Sequence, residues 1–133
     1  MKEINLFVYG SLREGFFNYN KYLTNKVIEK RAAKLENMNL YHMPYKGYPA
    51  ITSGNDTVIG EIMVIREDAY EDTMKAMDAM EGFIGDHNPD NEYHKVILEV
   101  ENLHTNKKEK CFVYFYNKEK DTLFDNMAVY IPH

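Results

Sequence analysis

The sequence contains a single cysteine, Cys111, so no internal disulfide can form and a reducing compartment is expected. Cys111 lies within "CFVYFY", where a buried small hydrophobe is the natural reading and a nucleophile is not. Long hydrophobic runs are missing, which excludes a membrane-spanning helix. A signal-type apolar core is missing too, because Asn5 and the turn at Gly10 interrupt the first apolar stretch. There is no basic excess: 16 Lys and Arg stand against 21 Asp and Glu, a formal net charge of −5. Phosphate-driven binding of nucleic acid is therefore not expected. The histidines, His42, His87, His94, His104 and His133, form no H-x-x-x-H pair, and no second cysteine supports them, so no metal site is expected. These absences leave a soluble, cytoplasmic, single-domain protein spanning residues 1–133, with oligomeric state open. Hydrophobic residues make up 44% of it, enough to build a core without staples.

What is present reads mostly as strand. Ile4, Leu6 and Val8 alternate with Asn5, Phe7 and Tyr9, which is period two. "EGFFNYNKYL" has room for a short helix. Residues 26–41 carry helix-forming Ala, Lys, Leu and Glu, but their apolar spacing is irregular. "KGYPAITSGND" gathers Gly, Pro, Ser, Asn and Asp and predicts a loop with a short extended piece. "TVIGEIMVI" is β-branched and predicts a strand, with Gly60 marking a bulge or a close backbone approach. "EYHKVILEV" and "KCFVYFY" predict two more strands joined by the polar "NLHTNKKE". The spacing predicts a helix over 68–80, with Asp68 and Glu71 as a capping box and Gly82 as the stop. Strands dominate and one good helix lies between them, an α+β pattern with a curved or barrel-like sheet.

That helix carries a carboxylate in an odd place. At about 100° per residue, Tyr70, Met74 and Met77 form an apolar arc, and one turn on Glu81 falls in its middle. Three effects are expected to raise its pKa. They are desolvation, the carbonyl-rich helix end, and the like charge of Asp78 one turn earlier. A glutamate tuned upward is what general acid/base chemistry needs near neutral pH. Fraying into water is the alternative. At the other end of the chain, Tyr9, Gly10, Ser11 and Leu12 follow a strand and offer backbone N–H groups to a carboxylate or oxyanion. By itself this loop suits an ordinary turn equally well, since it fits neither G-x-x-x-x-G-K-[ST] nor G-x-G-x-x-G. Ser11 has no histidine with a role beside it.

Six stretches then fall in order: "VYGSLREG", "GYPAI", "VIGEIMVI", "MDAMEGF", "YHKVILEV" and "CFVYFY". Together they resemble the gamma-glutamylcyclotransferase-like family, in its small single-domain bacterial members. The Y-G-S-L loop and the D-x-x-E-G segment of Asp78, Glu81 and Gly82 carry the resemblance most specifically. It implies a small mixed β-barrel with flanking helices, and so a strand over 26–41. It implies a small-molecule γ-glutamyl substrate whose α-amine attacks its own γ-carbonyl, releasing 5-oxoproline and a free amine. Such a reaction needs no cofactor. The Tyr9 to Leu12 loop would cradle the glutamyl group and Glu81 would be the acid/base. Tyr93 and Tyr116, or Tyr114 in place of the latter, would line the pocket. A non-catalytic small-molecule binding protein of the same fold is the alternative, and a Ser11-dependent hydrolase a further one. Two departures stand out: Lys95 replaces an arginine frequent in the family, and the chain stops at "YIPH" where many relatives continue.

Overall fold

The structure, a computed structural model, describes residues 4–9, 22–46 and 48–131. Within them lie six strands: β1 (Asn5–Val8), β2 (Val27–Met43), β3 (Tyr48–Ile65), β4 (Tyr93–Asn102), β5 (Lys108–Tyr116) and β6 (Val129–Tyr130). The helices are α1 (Tyr70–Met80) and α2 (Phe124–Met127). The strands run β3-β1-β5-β4-β2, and β2 pairs back onto β3, which closes a five-stranded barrel. β1 is parallel to β5 and the other pairings are antiparallel, so the barrel is mixed, as the resemblance implied. β6 adds to β2 beside Tyr41 and His42.

Two apolar clusters result from the period-two alternation. One draws Phe7, Ala33, Leu35, Ile51, Val58, Ile62, Val100, Cys111 and Val113 from all five barrel strands, together with Tyr9, and it is the barrel interior. The other sets Leu6, Val8, Met63 and Tyr114 against Met74 and Met77 of α1. β1 thus buries both faces, which explains its nearly continuous apolar sequence. Each fully buried Leu, Ile or Met contributes about 1.5–3 kcal/mol. Burial of Ala33 and Leu35 two residues apart overrides the helix propensity of "KRAAKLE", and β2 is a strand. Cys111 is fully buried there, and burial together with the charge of Glu109 pushes its thiol up to about 12, as befits a packing residue.

Two local expectations are corrected. "YPAITSGND" is not a loop but the first half of β3, paired with β2 along its length. Its turn-type residues are absorbed by a bulge, in which Met38 faces both Ser53 and Asp56 and the intervening Gly54 and Asn55 stand out. The expected capping box is also absent. A 3₁₀ turn over Glu67–Ala69 precedes α1, which has no side-chain cap, and Asp68 pairs instead with Arg66. Gly60 does mark a close approach, since a Cβ there would lie 2.2 Å from the Val8 carbonyl oxygen. The helix suggested by "EGFFNYNKYL" falls largely outside the described residues.

Candidate active site

Gly82 ends α1 in the left-handed conformation, at φ +66°. The N–H of Phe83 bonds the Asp78 carbonyl (2.8 Å) and that of Gly82 bonds the Ala79 carbonyl (3.2 Å), the paired bonds of a Schellman motif. Glu81 is therefore the C-cap with near-helical dihedrals, and the apolar arc of α1 does extend to it. Met77 is buried under that arc, and Tyr70 anchors its far end through a hydrogen bond to the Ile4 carbonyl at 2.7 Å. Glu81 keeps a partial opening to solvent, yet burial of its carboxyl, together with the negative charge of Glu92, raises its pKa to about 8.

The source of the repelling charge differs from expectation. Asp78 is already engaged: Lys95 Nζ lies 3.0 Å from one carboxylate oxygen, and the Tyr114 hydroxyl donates to the other at 2.6 Å. Lys95 also lies against the rings of Phe83 and Phe112, 5.1 and 4.9 Å from their centroids. The lysine that departs from the family pattern thus neutralises the first acid of D-x-x-E-G. Glu92 acts on Glu81 instead. Its backbone N–H bonds the Gly82 carbonyl at 3.0 Å, and Lys46 holds its carboxylate at 3.1 Å. The sequence pattern places Glu92 at the start of the strand "EYHKVILEV" and gives it no role; it lies one residue before β4.

Two tyrosines come within electrostatic reach of Glu81. Tyr9 donates its hydroxyl to the Tyr114 carbonyl at 2.9 Å. Burial and the Glu81 charge raise its pKa well above the usual phenol value. Tyr114 is raised by burial, by its bond to Asp78 and also by Glu81. Tyr93 joins Glu81 through the backbone, donating its N–H to the Glu81 carbonyl at 3.1 Å, while its hydroxyl bonds the Pro49 carbonyl at 2.7 Å. Tyr116 packs edge-on against Tyr93, with centroids 5.1 Å apart. Its hydroxyl turns away to Asp121, which also accepts from Tyr45. Although burial works against it, these two donors hold the Asp121 carboxyl below its usual value. Gly10, Ser11 and Leu12 lie outside the described residues. Tyr9, which leads into them, lies within electrostatic reach of Glu81. Among the described residues no group of His, Cys, Asp or Glu side chains is placed to hold a metal ion, and no helix is long and apolar enough to cross a membrane.

A carboxyl that is mostly protonated at neutral pH and can lose its proton near pH 8 can both accept and return a proton. It stands beside fixed phenol dipoles and a neutralised acid–lysine pair. Comparisons with known proteins agree with this picture at the level of fold and family. A Methanocaldococcus jannaschii protein, named provisionally a gamma-glutamylcyclotransferase, is 30% identical over 113 residues, covering 84% of this chain and 82% of that protein. The solution structure of an Arabidopsis thaliana protein superposes with a TM-score of 0.69 at 26% identity, covering 96% of this chain and 68% of the other. The crystal structure of an AIG2-like protein from Mus musculus gives 0.61 at 21% identity, over 84% and 76% of the two chains. Residues 6–129 match the family described as "Gamma-glutamyl cyclotransferase, AIG2-like", and the chain belongs to it.

Proposed function

We propose that this protein is a cyclotransferase for a small γ-glutamyl amide, with Glu81 as general acid/base. The observation that carries the reading is the Glu81 carboxyl, held at the end of α1 with its pKa raised to about 8 and within electrostatic reach of Tyr9, the residue that leads into Gly10. The name of the archaeal relative and the family description support the reaction type. The substrate's α-ammonium gives a proton to ionised Glu81. The freed amine then attacks the γ-carbonyl carbon and a tetrahedral intermediate forms. Glu81 returns the proton to the departing nitrogen as the C–N bond breaks and, ionised again, takes the second proton from the ring nitrogen and passes it to the released amine or solvent, leaving 5-oxoproline and a free amine. The nucleophile belongs to the substrate, so the protein's task is to fold the glutamyl chain into an attack conformer. The backbone N–H groups of Gly10, Ser11 and Leu12 hold the glutamyl moiety and the developing oxyanion. In this reading Tyr9, Tyr93 and Tyr116 line the pocket that receives the glutamyl group.

Release of 5-oxoproline from a panel of γ-glutamyl amines and dipeptides tests this. The wild type should turn over at least one of them, and Glu81→Gln should lose on the order of 10²–10⁴-fold or more in rate while keeping the fold. Near-wild-type release by Glu81→Gln would remove Glu81 from the chemistry. Tight binding of a panel member by the wild type with no release would favour a binding protein.

A further inference from the structure

Among the described residues, the middle of β4 has an edge that pairs with no strand. The first residue of β4, Tyr93, sends its N–H to the Glu81 carbonyl, away from β5. Backbone groups alternate along an antiparallel strand, so Lys95, Ile97, Glu99 and Glu101 turn their N–H and C=O to that same side. At its C-terminal end the side is closed, because Glu101 pairs with Lys34 and Asn102 with Ala33 on β2. β2 then diverges to pair with β6, and Lys95, Ile97 and Glu99 meet no strand there among the described residues. A cavity of about 1090 Å³ lies against β4 and β5, lined by Lys95 and Ile97 together with Phe83, Phe112 and Phe115, so these two β4 residues front open space. Ile97 is 48% exposed, an apolar side chain at the middle of an unpaired edge.

The edge is complementary to itself. Run antiparallel against a copy, Lys95-Val96-Ile97-Leu98-Glu99 sets Lys95 opposite Glu99 and Ile97 opposite Ile97. We infer that β4 is a dimerisation strand, pairing with the partner's β4 about a two-fold axis at Ile97. In this register the residues that face the edge meet residues that face it, so each exchanges both backbone hydrogen bonds with its opposite. A slip of four residues, which moves the axis two residues toward either end, puts Lys95 opposite the partner's Lys95 or Glu99 opposite the partner's Glu99, and like charges penalise both; a slip of two residues sets Ile97 opposite Lys95 or Glu99 and loses the apolar pair at the axis. The same edge already uses this chemistry within the chain, where Lys34 and Glu101 are register partners with Nζ and Oε2 3.6 Å apart. Lys95 spends one ammonium donor on Asp78 and has others for the partner's Glu99. An isologous contact of this kind closes as a dimer and leaves no free edge to propagate.

Sedimentation across a concentration series, with hydrogen exchange on the same samples, tests the inference. We expect a reversible dimer in which the amides of Lys95, Ile97 and Glu99 become protected as concentration rises. Ile97→Lys, at an exposed position, should give a folded monomer with those amides unprotected. Glu99→Lys serves as a second variant, since it opposes two lysines across the axis. Ile97→Cys should cross-link to itself on mild oxidation, because hydrogen-bonded opposite residues have Cα atoms about 5.5 Å apart, within disulfide range. The native Cys111 is buried and silent. A monomer up to millimolar concentration would overturn the inference. So would a dimer that survives Ile97→Lys and Glu99→Lys, or protection of the edge that is independent of concentration and accompanied by the mass of a bound peptide.

Discussion

The backbone N–H of Tyr93 donates to the carbonyl of Glu81 at 3.1 Å, so the last turn of α1 is fastened directly to the first residue of β4. Glu92 adds a second bond between the same two segments, through the Gly82 carbonyl. The carboxyl of Glu81 is thus set by the barrel as well as by its own helix. Glu92, which raises the Glu81 pKa, is fixed by the same junction and by Lys46.

Gly82 is the hinge of this arrangement. Its φ is +66°, and a Cβ would lie 2.9 Å from the Cβ of Glu92. Gly82→Ala should therefore cost about 1–2 kcal/mol from the left-handed backbone, and more from the contact. Because Glu92 must give way, the pH limb of activity should also move. Urea denaturation with a pH–rate profile measures both. A variant as stable as wild type would show that the junction does not require a glycine.

The raised Glu81 pKa makes opposite predictions for rate and stability. In the proposed mechanism ionised Glu81 is the base, so kcat/KM should rise with pH through an apparent pKa of about 8 in the free enzyme. Stability runs the other way. The folded pKa lies above the unfolded value of about 4.3, so the folded state binds the extra proton between them. The contribution is fully present below the unfolded pKa and is lost as pH rises through about 8. Glu81→Gln removes this loss. Its melting temperature should match wild type at acid pH and exceed it from neutral pH upward. Parallel melting curves across pH 4–9, with a constant gap between the two proteins, would contradict the shift.

Asp78 and Lys95 form a half-buried pair, with Tyr114 completing the carboxylate's bonds. Removing one partner leaves the other charge poorly compensated, so Asp78→Asn should cost about 1–3 kcal/mol. A double-mutant cycle with Lys95→Met should show coupling of about 1 kcal/mol or more, and simple additivity would argue against the pair. Lys95→Arg keeps the charge but needs space between Phe83 and Phe112 for a planar fork, so it should fold with reduced stability.

The sequence makes some of this legible and hides the rest for physical reasons. β4 and β5 announce themselves by β-branched and aromatic runs, and Glu81 by a helix wheel that needs no tertiary information. β2 does not, because "KRAAKLE" favours helix locally and only the barrel decides in favour of strand. The start of β3 is masked by Gly, Pro, Ser and Asn, whose turn chemistry a bulge opposite Met38 accommodates. Asp78's partners depend on the register that sets Lys95 beside Tyr114, and Glu92's role depends on a junction between two loops. Neither is a sequence-local property.

The loop after β1 gives the last prediction. Tyr9 is seated in the barrel with its hydroxyl on the Tyr114 carbonyl, and Glu81 acts on its pKa. The chain therefore enters "GSL" from a residue within electrostatic reach of the proposed acid/base. If the substrate is held by backbone N–H groups there, a Cβ with two methyls at Gly10 should obstruct it, and the Ser11 hydroxyl should be dispensable. Gly10→Val should lose ligand binding and turnover while its melting temperature stays near that of wild type. Ser11→Ala should retain kcat/KM within a few fold. A Ser11-dependent hydrolase reverses the second result: Ser11→Ala would be inactive, and the product would be free glutamate rather than 5-oxoproline. Identifying the product alongside the two variants separates a backbone cradle from a hydroxyl nucleophile.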